Sequence, residues 1–448
     1  MIAVRYEKGT LAVTSNFKLP HTVWDARSGV YRCLPLFYKD IIEYLKLSRL
    51  DYTDDVLDIP PMPALRDTVK LRDYQTDALK RWLHTKQGVL VLPTGAGKTV
   101  IGITAIARLN VPTLVVVPTL ELVRQWRREL EKALNITVGT YSGEAHDLQP
   151  VTVATYDTAY LRADELGNRF LLLIFDEVHH LPSPGYSSIA ELFVAPYRLG
   201  LTATYEREDG LHTELERLIG GKVYEIGVEK LTGTHLAEYT TRKIVTDLTD
   251  DERAEYERYY RVFTEFLKQK RVVLRTPRDF QRFVMRTGRD QKAREALLAR
   301  NRARRIALNS RSKLAALAKI LDTHFGERTI IFTEHNSLVY AISKAFLIPA
   351  ITHTTPKEER AEILDRFRTG TYNVIVTSKV LEEGIDVPEA SVGVILSGSG
   401  SKREYKQRLG RILRKRAGKL AVLYEIVSKG TSEVGISRRR KSSENESR

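Results

Sequence analysis

The sequence predicts an α/β protein built on two parallel sheets. Near-continuous apolar runs alternate with helical segments between residues 88 and 202, and a second set of such runs occupies 329–426. A glycine loop, Pro93-Thr-Gly-Ala-Gly-Lys-Thr99, joins the first run to a helix. Strands that are apolar on both faces are those covered by helices on both sides, which is the parallel arrangement. In such sheets ligands sit at the carboxyl ends of the strands.

Taken in order, the first 60 residues carry balanced charge and read as short strands at 2–6, 10–14 and 29–34 with a helix at 38–46. Pro60-Pro-Met-Pro63 reads as a linker. The segment 71–79 opens a helix one element ahead of the glycine loop, and its Gln75 offers a donor and an acceptor together, as an adenine edge requires. Residues 88–92 form the strand before the loop and 100–109 the helix after it. Gly95 and Gly97 let the backbone approach phosphate oxygens closely. The helix start adds inward-facing N–H groups and a positive dipole end. In that geometry Lys98 would meet the β and γ phosphates, and the Thr99 hydroxyl would ligate Mg²⁺. Leu92 stands where the usual phosphate-loop pattern has its first glycine.

Further strands are expected at 113–117, 151–154, 171–175 and 199–202, with a helix at 120–134. The run 171–175 delivers Asp176-Glu-Val-His-His180 at its carboxyl end. Asp176 suits Mg²⁺, directly or through water, and Glu177 suits the water that attacks a γ-phosphate. His179 and His180 have no flanking ligands and are expected to form hydrogen bonds rather than a metal site. In the second sheet, strands are expected at 329–333, 373–377, 392–396 and 420–426. Arg408, Arg411 and Arg414 follow at three-residue spacing, a fork suited to phosphate oxygens.

Lys and Arg number 71 against 56 Asp and Glu, a net charge of +15. The excess is concentrated: from 268 to 305 there are fourteen basic residues and three acidic ones. Arg271, Arg275, Arg278, Arg282, Arg286 and Arg289 repeat at helical spacing, with Pro277 expected to kink or interrupt the helix. So one-sided a stripe repels itself without an anion, and phosphate-backbone binding is expected. The acidic, aromatic stretch 251–260 before it is expected to pack, and the polar tail 437–448 to be disordered. Cys33 is the sole cysteine, which excludes an intrachain disulfide, a cysteine zinc site and an iron–sulfur cluster. No apolar run approaches the ~20 residues of a membrane span, and the first residues lack signal-peptide character, so a cytoplasmic protein with no membrane partner is expected.

Together these segments resemble the superfamily 2 helicases and translocases. The resemblance runs over roughly residues 71–415: Gln75, the loop at 93–99, Val117-Pro-Thr119, Asp176-Glu-Val-His179, Thr202-Ala-Thr204, Glu383-Gly-Ile-Asp386 and the closing arginine helix. Within that group the chain is similar to the xeroderma pigmentosum B (XPB) helicases in their short form. Arg207-Glu-Asp209 matches that family's Arg-Glu-Asp motif, implicated in DNA opening, and the basic insertion fits its thumb-like element. Residues 1–60 look like its damage-recognition domain.

The resemblance implies two RecA-like parallel-sheet domains, at 66–228 and 229–436, with ATP between them. It adds a small N-terminal α+β domain at 1–60, a helical basic thumb-like insertion at about 245–306 and a tail at 437–448. It implies that Arg72 and Gln75 hold adenine; that Thr94, Gly95, Ala96, Gly97, Lys98 and Thr99 hold the phosphates; that Thr99 and Asp176 hold Mg²⁺; and that Glu177 holds the water. Gly384, Asp386 and Gln407 would approach the nucleotide from the second domain, with Arg411 and Arg414 as arginine fingers. Arg207, Glu208 and Asp209 would act in DNA opening, and Arg271, Arg275, Arg278 and Arg282 on the DNA backbone. The implied activity is an ATP-dependent 3′–5′ DNA helicase or duplex translocase of nucleotide excision repair, acting on a fork, bubble or damaged duplex. It would work as a monomer or in a hetero-complex, with a repair nuclease as partner. The alternatives are an RNA helicase or remodeller with the same engine, and a DNA-binding scaffold switched by ATP.

Overall fold

The computed structural model describes residues 2–143, 145–207, 209–235, 238–274, 276–378, 390–397, 405, 410 and 420–441. They group into two compact units that part between Lys230 and Leu231.

The first unit begins with a five-stranded sheet in the spatial order Val23–Asp25, Val30–Cys33, Thr10–Thr14, Ile2–Glu7, Tyr52–Asp55. The last pair is parallel, which a tight turn cannot connect, and the helix Tyr38–Leu47 makes the crossover. Tyr38, Ile41 and Leu45 on that helix close the small core, and Val194 of the adjoining α/β core completes it. The Tyr6 hydroxyl donates to the carbonyls of Ala163 (3.0 Å) and Leu192 (3.2 Å), and Arg169 pairs with Asp58 (2.8 Å). The small domain is therefore seated on the larger one by packing and by hydrogen bonds.

The larger sheet runs Lys222–Glu225, Gln87–Val91, Tyr197–Thr202, Leu172–Asp176, Thr113–Val117, Val151–Thr155, Gly139–Ser142, Ala145–Asp147. Every pairing is parallel except the last. All five residues of Thr113–Val117 and of Leu172–Asp176 are buried, as strands covered on both faces require. Thr119 caps the helix Leu120–Leu134, its Oγ1 accepting from Leu122 N, and Val123, Trp126, Leu130 and Leu134 turn inward at helical spacing. Gly102 makes room for that packing, since a Cβ there would stand 2.7 Å from the Trp126 ring.

The second unit carries a six-stranded parallel sheet in the order Glu238–Thr246, Leu420–Ser428, Val392–Ile395, Thr329–Phe332, Val374–Thr377, Ala350–Ile351. Among the described residues, four helices separate its edge strand Glu238–Thr246 from Thr329–Phe332; the first three are Asp250–Gln269, Pro277–Arg286 and Gln291–Leu308, and the fourth is Arg311–Thr323. The first and third pack along each other; Phe263, Phe266 and Phe283 meet Ala293 and Ala296 in one cluster, Tyr256 meets Ala303 and Ala307 in another. This is where the aromatic content of 251–260 goes, as expected.

One expectation is met by interruption and another is corrected. The arginine stripe does not lie on one helix: Arg271 sits in a turn at φ 50° and Arg289 in the turn after Arg286, while Arg278, Arg282 and Arg286 share the face of a separate short helix. Pro277 interrupts the run, as expected: it stands at the first helical position behind a Thr276 cap and starts a new helix. The tail is also not wholly irregular, because Ser432–Lys441 is helical and Ser437 is buried; residues 442–448 lie outside the described residues.

That last helix is fastened by a buried ion pair. Lys313 Nζ donates to both carboxylate oxygens of Glu433 (2.7 Å each) and to the carbonyl of Leu396 (2.8 Å), and Ser428 N donates to the same carboxylate. Lys313→Met should destabilise the second unit by about 3–5 kcal/mol, because it strands a buried carboxylate, whereas Lys313→Met with Glu433→Leu should recover most of that loss. Urea unfolding of the single and double variants checks both outcomes.

Candidate active site

The strand order fixes where chemistry can occur. Gln87–Val91, Tyr197–Thr202 and Leu172–Asp176 are consecutive parallel neighbours, so the segments leaving their carboxyl ends converge: the glycine loop, Thr202-Ala-Thr204 and Asp176-Glu177.

The loop is shaped by its glycines and by the preceding helix. Gly95 and Gly97 have φ of 82° and 76°, in the left-handed region, and Gly97 precedes the helix Lys98–Leu109 with no side chain capping its first amides. A Cβ on Gly97 would meet Gln75 Nε2 at 2.5 Å. Gln75 Nε2 donates to the carbonyl of Ala96 (2.9 Å) and its Oε1 accepts from Arg72 N (2.9 Å); the Tyr74 hydroxyl also donates to Ala96 O (2.9 Å). The helix that carries Gln75 thus holds the loop open. Among the described residues, one N–H and one lone pair of the amide remain for a base edge. Among the described residues, Lys98 Nζ makes only a long hydrogen bond, 3.4 Å to Leu92 O, and Thr94 Oγ1 is buried with no hydrogen-bond partner. A cradle with uncapped amides, a loosely held ammonium and an orphan hydroxyl fits a polyphosphate.

Asp176 ends its strand buried. Trp126 Nε1 donates to its Oδ2 (2.8 Å) and Glu177 N to its Oδ1 (3.0 Å). Burial, and then the adjacent Glu177 carboxylate, push its pKa up to about 6, while Lys98 and the Trp126 hydrogen bond pull the other way. Its carboxylate, with the Thr99 hydroxyl, fits a hard divalent cation that takes its other ligands from phosphate and water. Glu177 stands at φ 50°, a conformation that costs a non-glycine residue about 1–3 kcal/mol and marks sites over-determined by their surroundings. Its Oε2 is buried without a hydrogen bond among the described residues, 3.5 Å from His179 Nδ1. That ring nitrogen also lies 3.2 Å from Thr202 Oγ1, which donates to Thr204 O. His179 is therefore a hydrogen-bonding residue, as expected, linking the two strand ends.

The structure thus brings together Arg72, Gln75, Thr94, Gly95, Ala96, Gly97, Lys98, Thr99, Asp176 and Glu177 in the first unit. Arg207 and Asp209 lie in the segment after Thr204, Arg207 donating to the carbonyl of His179 and pairing with Asp209 at 2.6 Å. Arg271, Arg278 and Arg282 are exposed on the helical insertion of the second unit, with Arg282 paired to Asp279 (3.0 Å). Glu208, Arg275, Gly384, Asp386, Gln407, Arg411 and Arg414 lie outside the described residues. Sequence reasoning missed Trp126, whose signal was available only as one apolar position on a helix.

Three family models match the chain: the xeroderma pigmentosum group B helicase damage recognition domain over residues 4–56, the type III restriction enzyme res subunit over 68–207, and the helicase conserved C-terminal domain over 312–416. A DNA 3′-5′ translocase XPB2 of Sulfurisphaera tokodaii is 45% identical over 98% of this chain and 100% of its own length. The chain belongs to the XPB family of superfamily 2 helicases. A DNA 3′-5′ helicase XPB of Mycobacterium tuberculosis is 32% identical over 84% of the chain, which spans 63% of that longer relative. The general transcription and DNA repair factor IIH helicase/translocase subunit XPB of Schizosaccharomyces pombe is 28% identical over 89% of the chain and 48% of its own length. The crystal structure of the Pyrococcus furiosus Hef helicase domain shares the fold, with a TM-score of 0.55 at 21% identity, covering 84% of this chain and 99% of that one. No described helix is long and apolar enough to cross a membrane.

Trp126→Phe keeps an aromatic ring at this position but removes the N–H that orients Asp176, along with the outer ring edge that lies against Gly102. ATP turnover should fall about 10- to 100-fold, the usual effect of losing a residue that orients a metal ligand. Phosphate release measured across a Mg²⁺ titration checks it.

Proposed function

We infer that this family member is an ATP-dependent 3′–5′ DNA translocase and helicase that opens DNA in nucleotide excision repair. The observation that carries the reading is the convergence of Lys98, Asp176 and Glu177 at adjacent strand ends, in a chain matched along its whole length by a DNA 3′-5′ translocase.

The nucleotide with its Mg²⁺ supplies a γ-phosphoryl group whose transfer to water releases the free energy of the cycle. The chain's own residues do the rest. Gln75, with Arg72, receives the base; the amides of the loop and of the first turn after Gly97 receive the phosphates; Lys98 neutralises the charge that grows on the transferring group. Asp176 and Thr99 hold the cation, Trp126 keeps Asp176 turned toward it, and Glu177 orients the attacking water. The family resemblance adds Gly384, Asp386 and Gln407 as nucleotide contacts and Arg411 and Arg414 as arginine fingers. The same reading takes forked, bubbled or damaged duplex DNA as substrate and a repair nuclease as partner. The three XPB relatives above are all named for DNA, and nothing observed favours the RNA alternative or a switch without turnover.

Steady-state phosphate release with single-stranded, duplex, forked and bubbled DNA and with RNA tests the reading. Stimulation by DNA and not by RNA is expected; stimulation by RNA alone would overturn it. Lys98→Ala should abolish turnover, and Glu177→Gln should retain ATP binding while kcat falls roughly 100-fold or more. Normal turnover in either removes that residue from its role. If the helical insertion neutralises about six phosphates, duplex affinity should fall roughly a thousandfold between about 50 and 200 mM salt, with a shallower slope once Arg271, Arg278 and Arg282 are changed to Ala.

A further inference from the structure

We propose that Arg207 is a positioning residue for the loop that carries Glu177, with Asp209 as its clamp, and that its part is in ATP hydrolysis rather than at the DNA. This deepens the ATP-hydrolysing reading above and rests on it. Arg207 Nη1 donates to the carbonyl oxygen of His179 and to Ser183 Oγ (3.2 Å), while Nε and Nη2 donate to the two carboxylate oxygens of Asp209 at 3.0 and 2.6 Å. All three guanidinium nitrogens are engaged within the chain, and the side chain is only 17% exposed. The clamp is itself fixed, since Asp209 Oδ1 accepts from Leu211 N (3.1 Å), and the backbone N of Arg207 donates to His212 Nδ1 (3.2 Å).

The grip falls on a loop that needs one. Glu177 holds a left-handed conformation that survives only where its surroundings impose it, and two residues on, His179 is held from both ends. Its ring lies against Thr202 Oγ1 and Glu177 Oε2, and its carbonyl accepts from Arg207. A bidentate carboxylate gives the guanidinium direction as well as charge, so the fork sets where the loop sits and not merely that it is attached. Four of the five guanidinium N–H groups are spent on these partners, so a two-pronged grip on a DNA phosphate would require the side chain to give up Asp209 or the His179 and Ser183 contacts.

The full chain is compared with Arg207→Ala, Arg207→Lys and Asp209→Asn for kcat and KM of ATP hydrolysis, without DNA and with saturating duplex, and for distance translocated per ATP by triplex displacement. Arg207→Ala should lower kcat roughly 100-fold in both conditions, the scale of a catalytic group misplaced by about an ångström. KM for ATP, duplex affinity and distance per ATP should stay close to those of the unaltered chain. Arg207→Lys, which can still reach the His179 carbonyl, and Asp209→Asn, which keeps one acceptor oxygen, should fall between; if Arg207→Ala does not fold, these two carry the same readouts. Unchanged kcat in the variants, with distance per ATP collapsed, would overturn the inference alone and move Arg207 to the DNA. An unaltered chain that hydrolyses no ATP under any condition would overturn the underlying reading with it.

Discussion

A carboxylate taken out of water at the end of a central strand is the constraint on which the site depends. Asp176 lies in the middle of an eight-stranded sheet, and its burial opposes its charge. The chain answers with an indole N–H from Trp126, the backbone N–H of Glu177 and the ammonium of Lys98 nearby. Each answer has its own structural requirement. Trp126 can lie there only because Gly102 has no side chain, and Lys98 is placed by a loop that turns through left-handed glycines. A bound cation would relieve the same strain, so the features that make the site costly in isolation are the ones that make it receptive.

A second layer of the site is mechanical. Glu177 stands in a conformation its side chain disfavours, and the contacts of its neighbour His179 reach Thr202 on one side and Arg207 on the other. The ends of these two neighbouring strands, with the segment that carries Arg207, therefore form one hydrogen-bonded assembly rather than separate motifs.

The second unit solves a different problem, that of carrying many positive charges without flying apart. Part of its basic content is absorbed internally: Arg300 lies over Phe280 (4.6 Å), Arg302 over Tyr259 (5.4 Å), and Arg304 pairs with Glu334 (2.7 Å). The two long helices bury their alanines and aromatics against each other, and exposed arginines stand on the short helix and turns between them and on the outer faces of the long helices, among them Arg261, Arg294 and Arg305. Division of one arginine run into structural and outward-facing members follows from packing.

The sequence by itself determined the motor. The phosphate loop, the acidic strand end, the inner strands and the helix at 120–134 were legible because each depends on local chemistry or on unbroken apolar runs, and all lie close to where they were expected. Edge strands such as Lys222–Glu225 and Glu238–Thr246 were not, since they are half exposed and carry polar residues that pairing alone recruits into a sheet. Only the tertiary structure decided that Trp126 serves Asp176, that Gln75 props the loop, that Lys313 fastens Glu433 and that Arg207 grips His179. These partners stand 21 to 120 residues apart, and no local pattern records which distant side chain a fold will bring within 3 Å of another.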